Sequence, residues 1–276
     1  MSGFSADWLQ LREPADRRAR WSGAAARLVA QLPVPRAARI VDLGSGTGAN
    51  LRYLAPQLGR EHHWLLVDHD PSLQAATVAA CRTAGVRGQV ELRLLDLATD
   101  LARLDLAGTD LVTAAALLDL VSAAWFDRLA ACCHAARAQL LFALNYNGQI
   151  ALAPSDPDDD WLVEQVNRHQ LGDKGFGPAL GPAATQHAQR VLAALGYVVH
   201  IETSNWRLGA DDLALQEQLV AGWAEAAAEL AHAEADPGDA ARIRAWLQRR
   251  LRFVASGESR IVVGHSDLLG LLPHRP

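Results

Sequence analysis

Val41-Asp42-Leu43-Gly44-Ser45-Gly46-Thr47-Gly48-Ala49-Asn50 lies between an apolar run, Arg39 to Leu43, and a segment with helical spacing, Thr47 to Leu58. Glycines in such a turn let the backbone fold tightly and let a ligand approach it, and the start of the following helix offers N–H groups with no internal partner. A strand, a glycine-rich turn and a helix in that order form a cradle for a nucleotide-like cofactor.

Working outward, further apolar runs occur at Trp64 to Asp68, Val90 to Asp96, Asp110 to Ala115 and Gln139 to Asn145. Several lack polar/apolar alternation, as strands covered on both faces do. Between them, Pro71 to Ala84 and Ala123 to Ala136 carry alanine and leucine at helical spacing, and Pro71 suits a first helical turn. This alternation predicts an α/β fold with a doubly wound, mostly parallel sheet. Two acidic residues then fall at strand ends. Asp68 is placed to accept hydrogen bonds from ribose hydroxyls, and Asp96, followed by Leu97, to meet an exocyclic adenine amine. The pattern Gly44-Ser-Gly46-Thr-Gly48-Ala49 also satisfies the glycine signature of NAD(P) proteins, so a dinucleotide-binding Rossmann protein is the alternative at this level.

With Asp42 ahead of Gly44, Gly46 and Gly48, the segment resembles the first motif of the class I S-adenosylmethionine-dependent methyltransferases. The resemblance covers roughly residues 36 to 145 and the terminal strand pair. It implies a Rossmann-like, seven-stranded sheet and S-adenosyl-L-methionine as cofactor. On that resemblance the loop Asp42, Gly44, Ser45, Gly46, Gly48 and Asn50 holds the methionine portion. Asp68 with neighbouring His69 meets the ribose, Asp96 and Leu97 the adenine, and Ala115, within Ala114 to Leu117, the methyl-donor side.

Beyond the fifth strand the rhythm breaks at Asn147-Gly148, and the acidic run from Asp156 to Asp160 leads to a Gly/Pro-rich segment ending at Gly181-Pro182. A helix from Ala183 to Leu195, a strand from Tyr197 to Thr203, helices from Asp211 to Ala233 and Asp239 to Val254, and a last strand from Arg260 to His265 complete the expected order. The organisation expected is one domain, 1–276, with a helical cap (1–35), a cofactor-binding half (36–145) and helical lid insertions (146–182 and 210–256). Tyr146, leaving the fifth strand on the rim where open α/β sheets place ligands, is the foremost substrate-contact candidate; His169, in a polar stretch with Lys174, is a candidate general base. Arg12 and Arg20, before the first strand, are candidate carboxylate contacts. The tryptophans outside the sheet suit either an apolar substrate wall or cap packing, and the arginines from Arg242 to Arg252 read as a solvated face.

Composition narrows the partner classes. With 276 residues, 50% of them hydrophobic, and a formal charge of −5, the chain can bury a large core and has no overall pull towards phosphate backbones, so no nucleic-acid partner is expected. Its three cysteines, Cys81, Cys132 and Cys133, form neither a disulfide framework nor a zinc pattern, and no metal is expected. No apolar run spans a bilayer. The expectation is a cytoplasmic methyltransferase acting on a small molecule, with a non-catalytic cofactor-binding or interaction module as a further alternative; composition is silent on oligomeric state.

Overall fold

A computed structural model describes residues 5–33, 36–59, 61–83, 88–233 and 237–273. The chain opens with helices α1 (Ala6–Ala19) and α2 (Gly23–Val29), then alternates β1 (Ala38–Leu43), α3 (Ala49–Leu58), β2 (His62–Asp68), α4 (Pro71–Thr83) and β3 (Gly88–Leu94). A single-turn helix α5 (Leu97–Asp100), β4 (Leu111–Ala115), α6 (Ala123–Ala136) and the long β5 (Gln139–Ala153) follow. The remainder comprises α7 (Asp159–Gln170), α8 (Ala184–Ala194), β6 (Val198–Thr203), β7 (Trp206–Leu208), α9 (Leu213–Ala233), α10 (Pro237–Ala255) and β8 (Arg260–Leu271). Ala84, the expected end of the helix starting at Pro71, lies outside the described residues.

The sheet order is β3-β2-β1-β4-β5-β8-β6, with β7 also paired to β8. β1 to β5 are mutually parallel, and β8 inserts antiparallel between β5 and β6. The Rossmann-like α/β fold is as expected, with eight strands rather than seven because Trp206–Leu208 adds a short strand along β8. The order reverses at β1, so the glycine turn after β1 stands at the switch point where such sheets bind ligands.

Adjacent residues of β1 show why the sheet needs cover on both sides: Ile40 packs with α2, α3 and Trp64, while Val41 and Leu43 join the opposite core with Trp125, Phe126 and Leu129 of α6. β5 does not end at Asn147-Gly148. Two register shifts carry it past that point, its first half is buried throughout, and its second half alternates towards solvent. With β8 this second half makes a ribbon projecting beyond the parallel sheet, and Ile150, Leu152, Ile261 and Val263 form a third core with α1, α7, α9 and α10.

The acidic run and the arginine helix, separated by about ninety positions, are partners. Arg249 pairs with Asp156 and Asp158, Arg242 with Asp158, and the buried Arg250 with Asp159, which also accepts Trp246 Nε1 at 2.9 Å. Reading these arginines as a solvated face is therefore corrected for Arg242, Arg249 and Arg250. Buried guanidinium groups are retained where carboxylates satisfy them.

Candidate functional site

The glycine turn is built by left-handed backbone. Gly44, Gly46 and Gly48 have φ of 62°, 52° and 78°, a region that favours residues without a Cβ. At Gly46 a Cβ would also lie 3.0 Å from Leu9 Cδ1, so α1 is seated directly on the turn. Ser45 N donates to Val67 O (3.0 Å), and Gly46 N donates to Asp68 Oδ2 (2.7 Å), which ties the turn to the end of β2. The other Asp68 oxygen accepts Asp70 N at 3.0 Å and lies 3.6 Å from the exposed His69 Nδ1. A carboxylate has lone pairs beyond these contacts, so Asp68 can still accept hydroxyl donors. The cleft beside it, bounded by Gly46, Asp68, Leu73, Thr77 and Leu92, measures only about 10 Å³.

Behind the turn, Asp42 Oδ1 accepts Asn50 Nδ2 (2.6 Å), which also reaches Thr113 Oγ1 (3.1 Å) on β4. Burial pushes the Asp42 carboxyl up to about 7 against the opposing effects of Asn50 and Arg20. Its second oxygen has no hydrogen-bond partner, and neither do Nε and Nη2 of Arg20, a buried residue whose guanidinium lies 4.4 Å from the Tyr53 ring centre. Burial lowers the Arg20 pKa, while Asp267, Tyr53, Asp16 and Asp42 act the other way. Unpaired buried polar atoms are costly, and here a carboxylate oxygen and two guanidinium nitrogens are left so beside one turn. An amino-acid zwitterion carries the complementary pair of charges.

The remaining expected contacts line the same rim. Asp96 is exposed and caps α5 by accepting Ala98 N (2.9 Å); Leu97 is buried, and its carbonyl accepts Trp125 Nε1 (2.6 Å). Ala115 ends β4 and is partly exposed, and Leu117 Cδ1 lies 3.6 Å from where a Cβ on Gly44 would sit.

Tyr146 is drawn into this region and His169 is not. Tyr146 Oη donates to Asn167 Oδ1 of α7 (2.8 Å), its main-chain N meets Asp119 Oδ1 at 3.4 Å, and burial pushes its phenol well above its usual range. His169 has its Nε2 2.9 Å from Glu229 and its Nδ1 3.3 Å from Lys174, at the junction of α7 and α9. Sequence reasoning missed Asp119, Asp267 and His265. Asp119 left a signal, a lone carboxylate in the apolar run Leu117-Leu118-Asp119-Leu120 directly after β4. His265 left none, because β8 had been expected to stop there. Among the described residues no group of three or more His, Cys, Asp or Glu is placed to hold a metal ion, and no helix is long and apolar enough to cross a membrane.

Residues 40–138 match the family model of the methyltransferase domain. A search of curated proteins returns no match. Among solved structures, the cyclopropane synthase MmaA2 of Mycobacterium tuberculosis aligns over 97% of this chain and 94% of its own, at 12% identity and a TM-score of 0.52. An S-adenosylmethionine-dependent methyltransferase of Geobacter sulfurreducens, solved with S-adenosyl-L-homocysteine, aligns over 98% and 99% at 16% identity and a TM-score of 0.47.

Proposed function

We propose that this chain is a class I S-adenosylmethionine-dependent methyltransferase, a reading supported by the methyltransferase-domain match over residues 40–138, and that its acceptor is a small molecule held between the glycine turn, α1 and the β5–β8 ribbon. The observation that carries the reading is the set of unpaired buried atoms at the turn, Asp42 Oδ2 and Arg20 Nε and Nη2. They match the ammonium and carboxylate of the methionine portion of the cofactor. Gly44, Ser45, Gly46, Gly48 and Asn50 shape that end of the site. Asp68, with His69 beside it, holds the ribose, and Asp96 with Leu97 the adenine. Ala115 borders the methyl-donor side.

Bound there, S-adenosylmethionine supplies an electrophilic methyl group on a sulfonium. The chain's own task is then largely to position an acceptor and keep water away. Tyr146 is the acceptor contact on this reading. His169, with both ring nitrogens engaged at the α7–α9 junction, would act as a base only after breaking those contacts. The expected cap and lid segments, over their described residues 5–33, 146–182, 210–233 and 237–256, would close over the site and so favour a small molecule over a nucleic acid; the compartment proposed is the cytoplasm. Cofactor placement is tested by calorimetric titration with S-adenosyl-L-homocysteine of the wild type and of Arg20→Met, which keeps most of the side-chain volume. Loss of at least tenfold in affinity supports the assignment, and unchanged affinity removes Arg20 from it.

A further inference from the structure

We propose that Asp267 is a positioning residue for the cofactor: by holding the peptide that follows Arg20 against the rim of β5, it sets the Arg20 guanidinium where the carboxylate of the methionine portion binds. The proposal rests on the reading of Arg20 as a cofactor contact and adds to it the group through which that contact is held.

The need for a polar side chain at 267 begins in the sheet. Phe142 pairs with Leu268 and Asn145 with Ser266, so Ala143 and Leu144 together face the single residue Asp267 across the β5–β8 ladder. A bulge of this kind takes backbone groups off the ladder. Leu144, with a φ of 55°, turns its N–H to Asp267 Oδ1 at 2.7 Å. The other oxygen, Oδ2, accepts Trp21 N at 2.9 Å, from 246 positions away. Asp267 is 1% exposed. Two N–H groups from different elements thus converge on one buried side chain, and only a carboxylate offers an acceptor to both. An amide of the same shape would turn its NH2 towards one of them.

Trp21 N belongs to the peptide bond that Arg20 begins. Arg20 is the C-cap of α1, with extended backbone, and its guanidinium lies over the Tyr53 ring with Nε and Nη2 unpaired. Asp267 therefore acts on Arg20 through this peptide and through its charge. Burial works against a charged Arg20, and Asp267 is the foremost of the neighbouring groups that favour it. The other carboxylates acting on Arg20 are already engaged, Asp16 by Arg12 and Trp206 and Asp42 by Asn50. The same bulge also reaches the donor side, because Ala143 O accepts Ala116 N at 2.9 Å, one residue beyond Ala115. One buried carboxylate thus ties Arg20 to the rim that borders the methyl-donor side.

The test titrates two ligands calorimetrically into the full chain as wild type, Asp267→Asn and Arg20→Met. One is S-adenosyl-L-homocysteine; the other is S-adenosyl-3-thiopropylamine, which keeps the adenosine, thioether and ammonium and lacks only the carboxylate. In both variants S-adenosyl-L-homocysteine affinity is expected to fall at least tenfold, whereas S-adenosyl-3-thiopropylamine affinity falls less than twofold. Equal losses for the two ligands in Asp267→Asn would make Asp267 a general structural support, and an unchanged S-adenosyl-L-homocysteine affinity would detach it from Arg20; either result overturns the proposal. If Asp267→Asn does not fold, the wild type decides. Hydrogen exchange at the Trp21 amide is expected to slow at least tenfold more in saturating S-adenosyl-L-homocysteine than in saturating S-adenosyl-3-thiopropylamine, and equal slowing overturns the proposal. An unchanged S-adenosyl-L-homocysteine affinity in Arg20→Met would instead strike the cofactor role of Arg20 beneath it.

Discussion

Asp68 does two jobs at once, and its substitution separates them. It anchors the glycine turn through Gly46 N and, on the proposed reading, receives the ribose hydroxyls. Hydrogen bonds to a charged group contribute about 1.5–3 kcal/mol each, so Asp68→Ala is expected to weaken S-adenosyl-L-homocysteine binding by roughly 100-fold or more in a calorimetric titration. Unchanged affinity would remove Asp68 from the ribose contact. Asp42 gives a pH-dependent signature. Its carboxyl is raised from 3.8 to about 7 by burial, so the native state holds that proton more tightly than the unfolded chain. The associated stability is complete below about pH 3.8 and is lost as pH rises through about 7. Relative to wild type, Asp42→Asn should therefore gain on the order of 1–3 kcal/mol between pH 4 and pH 8, read from denaturation midpoints; a constant difference would contradict the raised value. A ligand ammonium on Asp42 Oδ2 favours the ionised form, so cofactor affinity should fall as pH drops below about 7. The glycines, Asp42 and Asp68 were legible because strand, turn and helix fix their places. The surroundings of Asp119 and His265 were not, because they are set by Arg12 and Trp206, more than a hundred and about sixty positions away respectively.

At the level of elements, α1 and the ribbon carry the features that sequence patterns could not supply. α1 closes over the turn through Leu9 on Gly46 and the Glu13–Arg52 pair at 2.5 Å. α1 thus rests on the turn proposed to hold the cofactor, so cofactor binding is expected to displace and reseat it. Hydrogen exchange along 6–19 should then slow when S-adenosyl-L-homocysteine binds and α1 reseats, whereas identical exchange with and without ligand would contradict the account of α1 as a moving cap. The ribbon escaped notice because its second half alternates by twos in residues such as Gln149 and Ala151, which resemble loop composition. Its roof depends on Asp159. Removing that carboxylate in Asp159→Ala leaves the guanidinium of the 1%-exposed Arg250 without its ion-pair partner, at an expected cost of about 3–5 kcal/mol in chemical denaturation. Asp158→Ala, at a more exposed pair, should cost about 1 kcal/mol or less. Equal effects of the two would contradict a buried role for Arg250.

Across the whole molecule, β1, β2, β4 and the first half of β5 were readable from apolar runs because strands buried on both faces leave no other pattern, whereas the edge strand β3 is largely exposed. The acidic residues at strand ends pointed to an adenosine, the resemblance to the class I methyltransferases implied S-adenosylmethionine, and the methyltransferase-domain match over 40–138 supports that cofactor. The proposed acceptor half is assembled from α1, α7, α9 and the ribbon, elements brought together only by tertiary packing, which is why no sequence pattern pointed to it. Parallel calorimetric titrations with S-adenosylmethionine, S-adenosyl-L-homocysteine and NAD test the central claim most directly. The account predicts saturable, one-to-one binding of the two sulfur nucleosides and none of NAD. Binding of NAD alone, or of none of the three, would contradict it.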